Sequence, residues 1–423
     1  MRVIVTHDNL AEVLAYLCSL RSGTIAFDTE TYGLKWDDKL FALQLAVQGG
    51  DSFYFNFHSY PTGEIGLPGH VFISLHDLWR NDRIRWIAHN AKFDMRRLDI
   101  EGVTLAGEVW DTMIGAHIEY NKHFSYSLDN CLKRIGFAKN DEVALWIRDN
   151  KAYTTYHVEG KKTKEKDLHF DRVPFAIMSK YGLDDVELTL KLYEHQNQYF
   201  NLEENQEQFY LLANEMKLVK AVYNMEREGI KVNLEYCNSA YAHCMSLVNE
   251  AVERIEDMTS QQFKNGPKWL KEVLSAQDIE LQLSEKGNPI LDKKKLKSMD
   301  NAIASNILEM RDKEKEATFY STFQRYADNN GILHPNYRLT GTDTGRFSCS
   351  EPNIQQAAKD PKNSESNPFT VRGAFEAGDG NILVSIDYSQ MEYRIMADYA
   401  GEHSMIAAIK GGLDPHTFVG NMM

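Results

Sequence analysis

The stretch Thr24-Ile25-Ala26-Phe27-Asp28-Thr29-Glu30 decides the fold of the first part of the chain. Its apolar residues predict a buried strand, and on a strand residues i and i+2 project to the same face. Asp28 and Glu30 therefore point in the same direction. Because two adjacent carboxylates raise each other's pKa and cost stability unless a cation neutralises them, the pair suggests a metal site. The alternative, two exposed acids at a strand end, stays open on this pair alone.

Two later segments add oxygen ligands to this pair. Asp94 follows a predicted strand at residues 83–90 and lies at the start of a helix. Tyr181 and Asp185 stand at i and i+4, on one face of another predicted helix. Asp184 is interpreted as a solvent-facing neighbour. Carboxylates and a phenol are hard oxygen ligands, which suit Mg²⁺ or Mn²⁺ rather than zinc or copper.

The three segments resemble the proofreading 3′–5′ exonucleases of the DEDD type, in the subclass whose third motif carries a tyrosine. They read FDTET, HNAKFD and YGLDD, in this order. The resemblance implies a set of metal-binding carboxylates, namely Asp28, Glu30, Asp94 and Asp185. It also implies two ions and a role for Tyr181 in orienting the attacking water, since two ions generate hydroxide and stabilise the entering and leaving oxygens. Asp111 matches a common feature of these domains and is interpreted as structural.

A second group of polar residues lies in the last third of the chain. TGRFSCSEPNIQ at 344–355 is a glycine-bearing turn with an arginine, amides and hydroxyls, groups that contact a nucleic-acid backbone and minor-groove acceptors. Asp387 ends an apolar run, ILVSIDYS at 382–389, that predicts a strand leading into a helix. With DPHTF at 414–418, these segments resemble the palm of family A DNA polymerases, a group of bacterial repair and short-tailed phage replicative enzymes.

The palm resemblance implies individual roles. Asp387, with the Tyr388 carbonyl beside it, would hold two catalytic Mg²⁺ or Mn²⁺ ions, and Glu392 would exclude a ribose 2′-hydroxyl. The implied nucleotide-binding residues are Tyr388, Gln390, Glu392, Arg394 and His416. The implied DNA-binding residues are Arg346, at the primer-terminal minor groove, Asn353 and Gln355. Arg372 would fill the role of a later family arginine. The expected partners are a DNA primer-template, single-stranded 3′ ends and dNTP.

The resemblance also orders the chain into three predicted domains. Residues 1–200 mix β-rich and helical stretches and predict an α/β unit, which by the resemblance is a ribonuclease H-like exonuclease domain with a mixed sheet. Residues 201–333 have apolar residues at helical spacing and predict long helices, which the resemblance implies form a thumb. Residues 334–423 predict a partial α+β palm. Inside the first domain, residues 139–172 are interpreted as a charged surface insertion.

Two parts of the family pattern do not occur in this sequence. They are the basic fingers helix and the His-Asp-Glu turn that carries the second palm carboxylate. The leading hypothesis is therefore the amino-terminal subunit of a split family A DNA polymerase, with a second polypeptide carrying the fingers and the remaining palm. A stand-alone 3′–5′ exonuclease with a DNA-binding palm remnant and a noncatalytic assembly subunit are the alternatives. A thioredoxin-type thumb partner is not expected, because residues 229–334 leave no room for its insertion.

The composition of the chain restricts the classes of protein to which it can belong. With 61 acidic and 47 basic residues the net charge is −14, whereas a nonspecific nucleic-acid binder is usually basic. Divalent ions bound to acidic residues can nevertheless make the local charge positive where a phosphate binds. No apolar run approaches the roughly 20 residues of a membrane span, which predicts a cytoplasmic protein with no membrane partner. The five scattered cysteines imply neither a disulfide framework nor a zinc site.

Overall fold

The computed structural model describes residues 1–122, 125–156, 165–277, 279, 281–357 and 368–422. The chain forms two compact units, Met1–Ala374 and Phe375–Met423, and each is described by itself. The domain boundaries expected at residues 200 and 333 both fall inside the first unit and stay predictions. No helix in the described ranges is both long enough and apolar enough to cross a membrane.

A mixed six-stranded sheet forms the centre of the first unit, which confirms the predicted α/β fold class. Its strands are β1 (Arg2–Val5), β2 (Gly23–Thr31), β3 (Leu40–Val47), β4 (Ser52–Asn56), β5 (Ile84–Ala88) and β6 (Val109–Asp111). Their order across the sheet is β1-β4-β3-β2-β5-β6, with β2 antiparallel to β3 and parallel to β5. Because β2 has a neighbour on each side and is covered on both faces, it carries a continuous apolar run. Ile25, Ala26 and Phe27 are fully buried.

Helices cover this sheet. They are α1 (Leu10–Ser19), α2 (Val71–Ser74), α3 (His76–Trp79), α4 (Ala91–Ile100), α5 (Thr112–Glu119), α6 (Leu128–Arg134), α7 (Glu142–Asp149) and α8 (Phe175–Phe200). The long helix α8 packs across β2, β3, β4 and β5. The predicted insertion contains α7 and an antiparallel ribbon of β7 (Tyr153–Tyr156) and β8 (Glu165–Leu168). Its lysine-rich run at 161–164 lies outside the described residues.

The middle of the chain is helical, as its apolar spacing predicts. It comprises α9 (Gln206–Glu228), β9 (Ile230–Val232), α10 (Leu234–Thr259), α11 (Pro267–Ser275), α12 (Lys293–Ser298) and α13 (Ala302–Tyr326). Helices α10 and α13 pack against each other along their length. The buried residues of α10 recur at helical spacing, at Cys237, Ala240, Cys244, Val248, Ala251 and Ile255.

The predicted strand at residues 382–389 is wrong. Elements after α13 are β10 (Ile332–Leu333), β11 (Asn336–Arg338), β12 (Ser348–Ser350), β13 (Phe375–Glu376), α14 (Met391–Tyr399), α15 (His403–Lys410) and α16 (Pro415–Met422). Residues 382–389 form no strand, and Ile382, Leu383, Val384 and Ile386 are between 58% and 88% exposed. An apolar run becomes a strand only where another strand pairs with its backbone. The helix predicted to follow it is confirmed as α14.

Candidate metal centre

Strand β2 holds the first two carboxylates at the middle of the sheet. Asp28 lies opposite Gln44 of β3, and Glu30 lies opposite Ala42, so both acids project from one face as the i, i+2 spacing predicts. Helix α8 crosses that face closely at Gly182, where an added Cβ would lie 2.6 Å from Nε2 of Gln44. A glycine there lets α8 bring its own functional residues down to the sheet.

Helix α4 places the third carboxylate. Asp94 lies in its first turn, and its Oδ1 accepts hydrogen bonds from the backbone N–H (3.0 Å) and the hydroxyl (2.7 Å) of Thr29, between Asp28 and Glu30. The start of α4 is fixed by Asp111, whose carboxylate accepts from the N–H groups of Asn90 and Ala91, each at 2.9 Å. Asp111 also caps α5, so these contacts support its structural interpretation.

Helix α8 supplies the fourth carboxylate and the phenol. Asp185 is 6% exposed, and Tyr181 lies one turn earlier on the same face. Lys139 contacts both residues, with its Nζ 2.5 Å from Oδ2 of Asp185 and 3.1 Å from the Tyr181 hydroxyl. Asp184, the neighbouring acid, instead forms an ion pair with Arg2, with Oδ1 of Asp184 2.6 Å from Nη2 of Arg2.

The position of Lys139 shows that the interpretation of residues 139–172 as a charged surface insertion is wrong at its first residue. Its side chain is only 17% exposed because the chain between α6 and α7 turns back over α8. Nothing in the spacing of the sequence indicates this contact, since Lys139 and Asp185 are 46 residues apart. The local charge pattern of the segment resembles that of a solvated loop.

The electrostatics of these residues favour a bound cation. Burial, and after it the charges of Asp94 and Asp185, raise the pKa of Asp28 well above its usual range. Burial and the Asp28 charge do the same for the pKa of Glu30. Burial raises the pKa of Asp94 to about 7, although Thr29 opposes the shift. Within the carboxylate cluster, defined as Asp28, Glu30, Asp94 and Asp185, the negative charges are therefore incompletely balanced.

The donor set fits divalent magnesium or manganese. All four members of the carboxylate cluster offer hard oxygen atoms, and Oδ1 of Asp185 is buried and receives no hydrogen bond from any residue that the structure describes. In the described ranges, no three acidic, imidazole or thiol groups already converge in the geometry of a bound ion. In this structure Asp94 accepts a hydrogen bond from Thr29, and Asp185 pairs with Lys139.

The predicted DNA-contacting residues follow one another along the loop around β12. Arg346 and Gln355 are exposed, and Gln355 donates to the carbonyl of Phe347 at 3.2 Å. Asn353 is half-buried, and its Oδ1 has no hydrogen-bond partner within the described part of the chain. Gly345 has a φ of +74°, which lets the chain turn sharply just before Arg346. Arg372 lies in a short helical turn, and residues 358–367 before it lie outside the described residues.

The predicted nucleotide-binding residues belong to the second unit. Asp387 and Tyr388 are exposed ahead of α14, and Glu392 and Arg394 are exposed in its first turn. Arg394 donates to the carbonyl of Ser389 at 2.8 Å.

The start of α14 is tied to the start of α16. Gln390 donates a hydrogen bond to the side chain of Asp414, a contact that no spacing in the sequence indicates. His416 belongs to α16, but its side chain lies outside the described part of the structure. This bond therefore brings Asp414 of the DPHTF segment next to the start of α14, three residues after Asp387.

Comparisons with known proteins find a family match for the amino-terminal part of the chain and another for its carboxyl-terminal part. Residues 1–198 match the 3′-5′ exonuclease family model, and residues 234–423 match the model of DNA polymerase family A. The two ends of the chain thus match two different family models. The chain is 27% identical to DNA polymerase DpoZ of Vibrio phage phiVC8 over 94% of its own length and 65% of that protein. It is 29% identical to DNA polymerase I of Chloroflexus aurantiacus, over 96% of its own length and 42% of that protein.

A solved structure shares the fold of this chain. The POL domain of Pol1 from M. smegmatis, in complex with DNA primer-template and dNTP, matches with a TM-score of 0.75 at 20% sequence identity. The match covers 99% of this chain and 66% of that chain. The chain thus spans less than two thirds of the length of these relatives.

Proposed function

We propose that the first unit removes nucleotides from DNA 3′ ends with the help of two divalent ions. The observation that carries this proposal is the carboxylate cluster, whose buried acids come from three separate elements, with Lys139 as a close cationic contact. Divalent ions supply an activated water and neutralise charge on the scissile phosphate. Asp28, Glu30, Asp94 and Asp185 would hold them.

Tyr181 positions water in this proposal rather than accepting its proton. Burial and the charges of Asp185 and Glu30 raise the pKa of its phenol far above the ordinary value. The hydroxyl therefore stays protonated at neutral pH, and it can orient a water molecule through a hydrogen bond. Lys139 already uses the phenol oxygen as an acceptor at 3.1 Å, which shows that a donor can approach it from the side of Asp185.

Digestion of a 5′-labelled single-stranded oligonucleotide with Mg²⁺ tests this function. Asp185→Ala should slow digestion by about a hundredfold or more, because the loss of one ligand misplaces the reacting groups. Tyr181→Phe should slow it less. The matched control is Asp184→Ala, which removes the adjacent acid but leaves the cluster intact. Equal rates for Asp185→Ala and Asp184→Ala would contradict the assignment.

We also propose that residues 334–423 form part of a DNA polymerase site, which a second polypeptide completes. The relatives are longer DNA polymerases, and one solved neighbour holds a primer-template and dNTP. The exposure of Ile382, Leu383, Val384 and Ile386 just before Asp387 supports the proposal, since such apolar groups favour a covering partner. Asp387 would bind Mg²⁺ beside the Tyr388 carbonyl. We propose the cytoplasm as the location, which is the host cytoplasm if a phage encodes the chain.

Reconstitution tests the polymerase proposal. The chain is mixed with a polypeptide that carries fingers and the remaining palm, and primer extension is measured. Extension should appear in the mixture and be lost with Asp387→Ala, whereas the control Asp398→Ala, an exposed acid of α14, should retain it. Efficient extension by the single chain would refute the need for a second polypeptide. No extension in the mixture, with exonuclease activity retained, would favour a stand-alone exonuclease.

Sugar selection gives a second readout in the reconstituted polymerase. Glu392 lies on the first turn of α14, five positions after Asp387, where we propose that it contacts the deoxyribose C2′. An added 2′-hydroxyl would meet this side chain and lose hydrogen bonds to water, at about 1 to 3 kcal/mol for each one left unmade. Glu392→Ala should therefore raise ribonucleotide incorporation about tenfold. Unchanged discrimination would exclude this role.

A further inference from the structure

Lys139 contacts two of the residues that are proposed for the exonuclease site. Its Nζ lies 2.5 Å from Oδ2 of Asp185, 3.1 Å from the Tyr181 hydroxyl and 4.7 Å from the centre of the Tyr181 ring. The ammonium thus contacts two functional residues on successive turns of α8. A lysine stem is flexible and its ammonium has three donors, so it can exchange one oxygen partner for another.

The same lysine borders a cavity of about 410 Å³. The cavity lies beside α8 between α7 and the β7–β8 ribbon, and Tyr181 forms part of its wall. Its lining also includes the cations Arg148 and Lys166, the rings of Tyr153 and Phe170, and the acids Asp129 and Asp141. Cations that bind phosphate, next to aromatic rings that stack on bases, are the features of a single-strand binding site. The volume lies within the range of small-ligand sites, which suits a nucleotide.

Lys139 competes with a metal ion for Asp185. An ammonium and a divalent ion bound to the two oxygens of one carboxylate repel each other, because like charges a few ångströms apart interact strongly in a poorly hydrated site. The other oxygen of Asp185 is buried and receives no hydrogen bond from the residues that the structure describes, so it is ready for a second ligand. Metal binding therefore becomes favourable once the ammonium has moved away from Asp185.

We propose that Lys139 couples metal binding to DNA binding in the exonuclease site. Without DNA, the ammonium holds Asp185. A DNA phosphate that enters the cavity takes over the ammonium, and this frees Asp185 for a divalent ion. The inference rests on the proposed exonuclease function, and it assigns Lys139 as a positioning residue that acts through Asp185. By linkage, metal and DNA must strengthen each other's binding by the same factor.

Mn²⁺ binding to the full chain, measured by electron paramagnetic resonance of the free ion, tests the coupling without reference to catalysis. The probe is a short oligonucleotide whose 3′-terminal linkages are phosphorothioates, which resist cleavage. For the wild type, the oligonucleotide should tighten Mn²⁺ binding by about tenfold, within the usual range of coupling between sites. Lys139→Met should bind Mn²⁺ about tenfold more tightly without DNA, and the oligonucleotide should then add less than about twofold.

Two controls make the test specific. Lys180→Met removes an equal charge from the residue next to Tyr181, but Lys180 pairs with Glu142 at 3.0 Å, so Mn²⁺ binding and its coupling should match the wild type. Lys139→Arg keeps the charge and should retain the coupling, and circular dichroism confirms that each variant is folded. Equal Mn²⁺ affinities of wild type and Lys139→Met would overturn the inference while leaving the exonuclease proposal intact. No Mn²⁺ binding by either protein would overturn both.

Discussion

Asp94→Asn should make the metal-free protein more stable, although it removes a proposed metal ligand. Asp94 is 2% exposed and lies beside the other acids of the carboxylate cluster, so its ionised form is unfavourable in the folded chain. Asparagine has nearly the same shape, and its carbonyl oxygen can still accept both hydrogen bonds from Thr29. The substitution therefore removes the charge and keeps the contacts.

The size of this effect follows from the pKa of Asp94. Burial raises that pKa from 3.8 to about 7, a shift of about three pH units at about 1.4 kcal/mol each. A raised carboxyl pKa contributes stability that is fully present below the unfolded value and is lost as the pH rises through the folded value. At about pH 8 the ionised Asp94 therefore costs about 4 kcal/mol, at about pH 5 it costs less than half of that, and below about pH 4 it costs almost nothing.

Urea unfolding in EDTA, followed by tryptophan fluorescence, measures this difference. Asp94→Asn should be more stable than the wild type at about pH 8, and the gap should narrow at about pH 5. Added Mn²⁺ should stabilise the wild type more than the variant, because the variant has lost a ligand. Asp184→Asn is the control and should not stabilise, since Asp184 pairs with Arg2. A lower stability of Asp94→Asn at about pH 8 would refute the electrostatic reasoning.

Two further substitutions test the packing around the site. Glu226→Gln should lower the free energy of unfolding by about 3 to 5 kcal/mol, because Lys92, only 9% exposed, would lose its buried charge partner. A calorimetric scan measures this loss, and the double variant Glu226→Gln/Lys92→Met should recover part of it. An unchanged melting temperature of Glu226→Gln would show that the buried Lys92–Glu226 pair does not stabilise the fold. Gly182→Ala should slow exonuclease digestion, because its Cβ would overlap the buried amide of Gln44 and push α8 from the sheet. Gly69→Ala, with open space around the new Cβ, is the control, and equal rates would show that α8 does not need this close approach.

Local periodicity explains what could be predicted about the site. The i, i+2 spacing of Asp28 and Glu30 and the i, i+4 spacing of Tyr181 and Asp185 depend only on backbone geometry, so both pairs share a face in the structure as expected. The apolar run of β2 likewise predicts a central strand, and the family match confirms the resemblance carried by these motifs. Residue types at local spacings were thus sufficient for the fold class, the family and the candidate ligands.

Contacts between distant segments could not be predicted in this way. Lys139 lies 46 residues from Asp185, and its segment reads as a solvated loop, because nothing local distinguishes a lysine that faces water from one that turns back onto a helix. The run Ile382–Ile386 has the composition of a strand but forms none, since a strand requires hydrogen bonds from another strand. The sequence by itself determined which side chains share a face of a strand or helix, whereas the tertiary structure alone decided which faces meet and therefore which charges balance the carboxylate cluster.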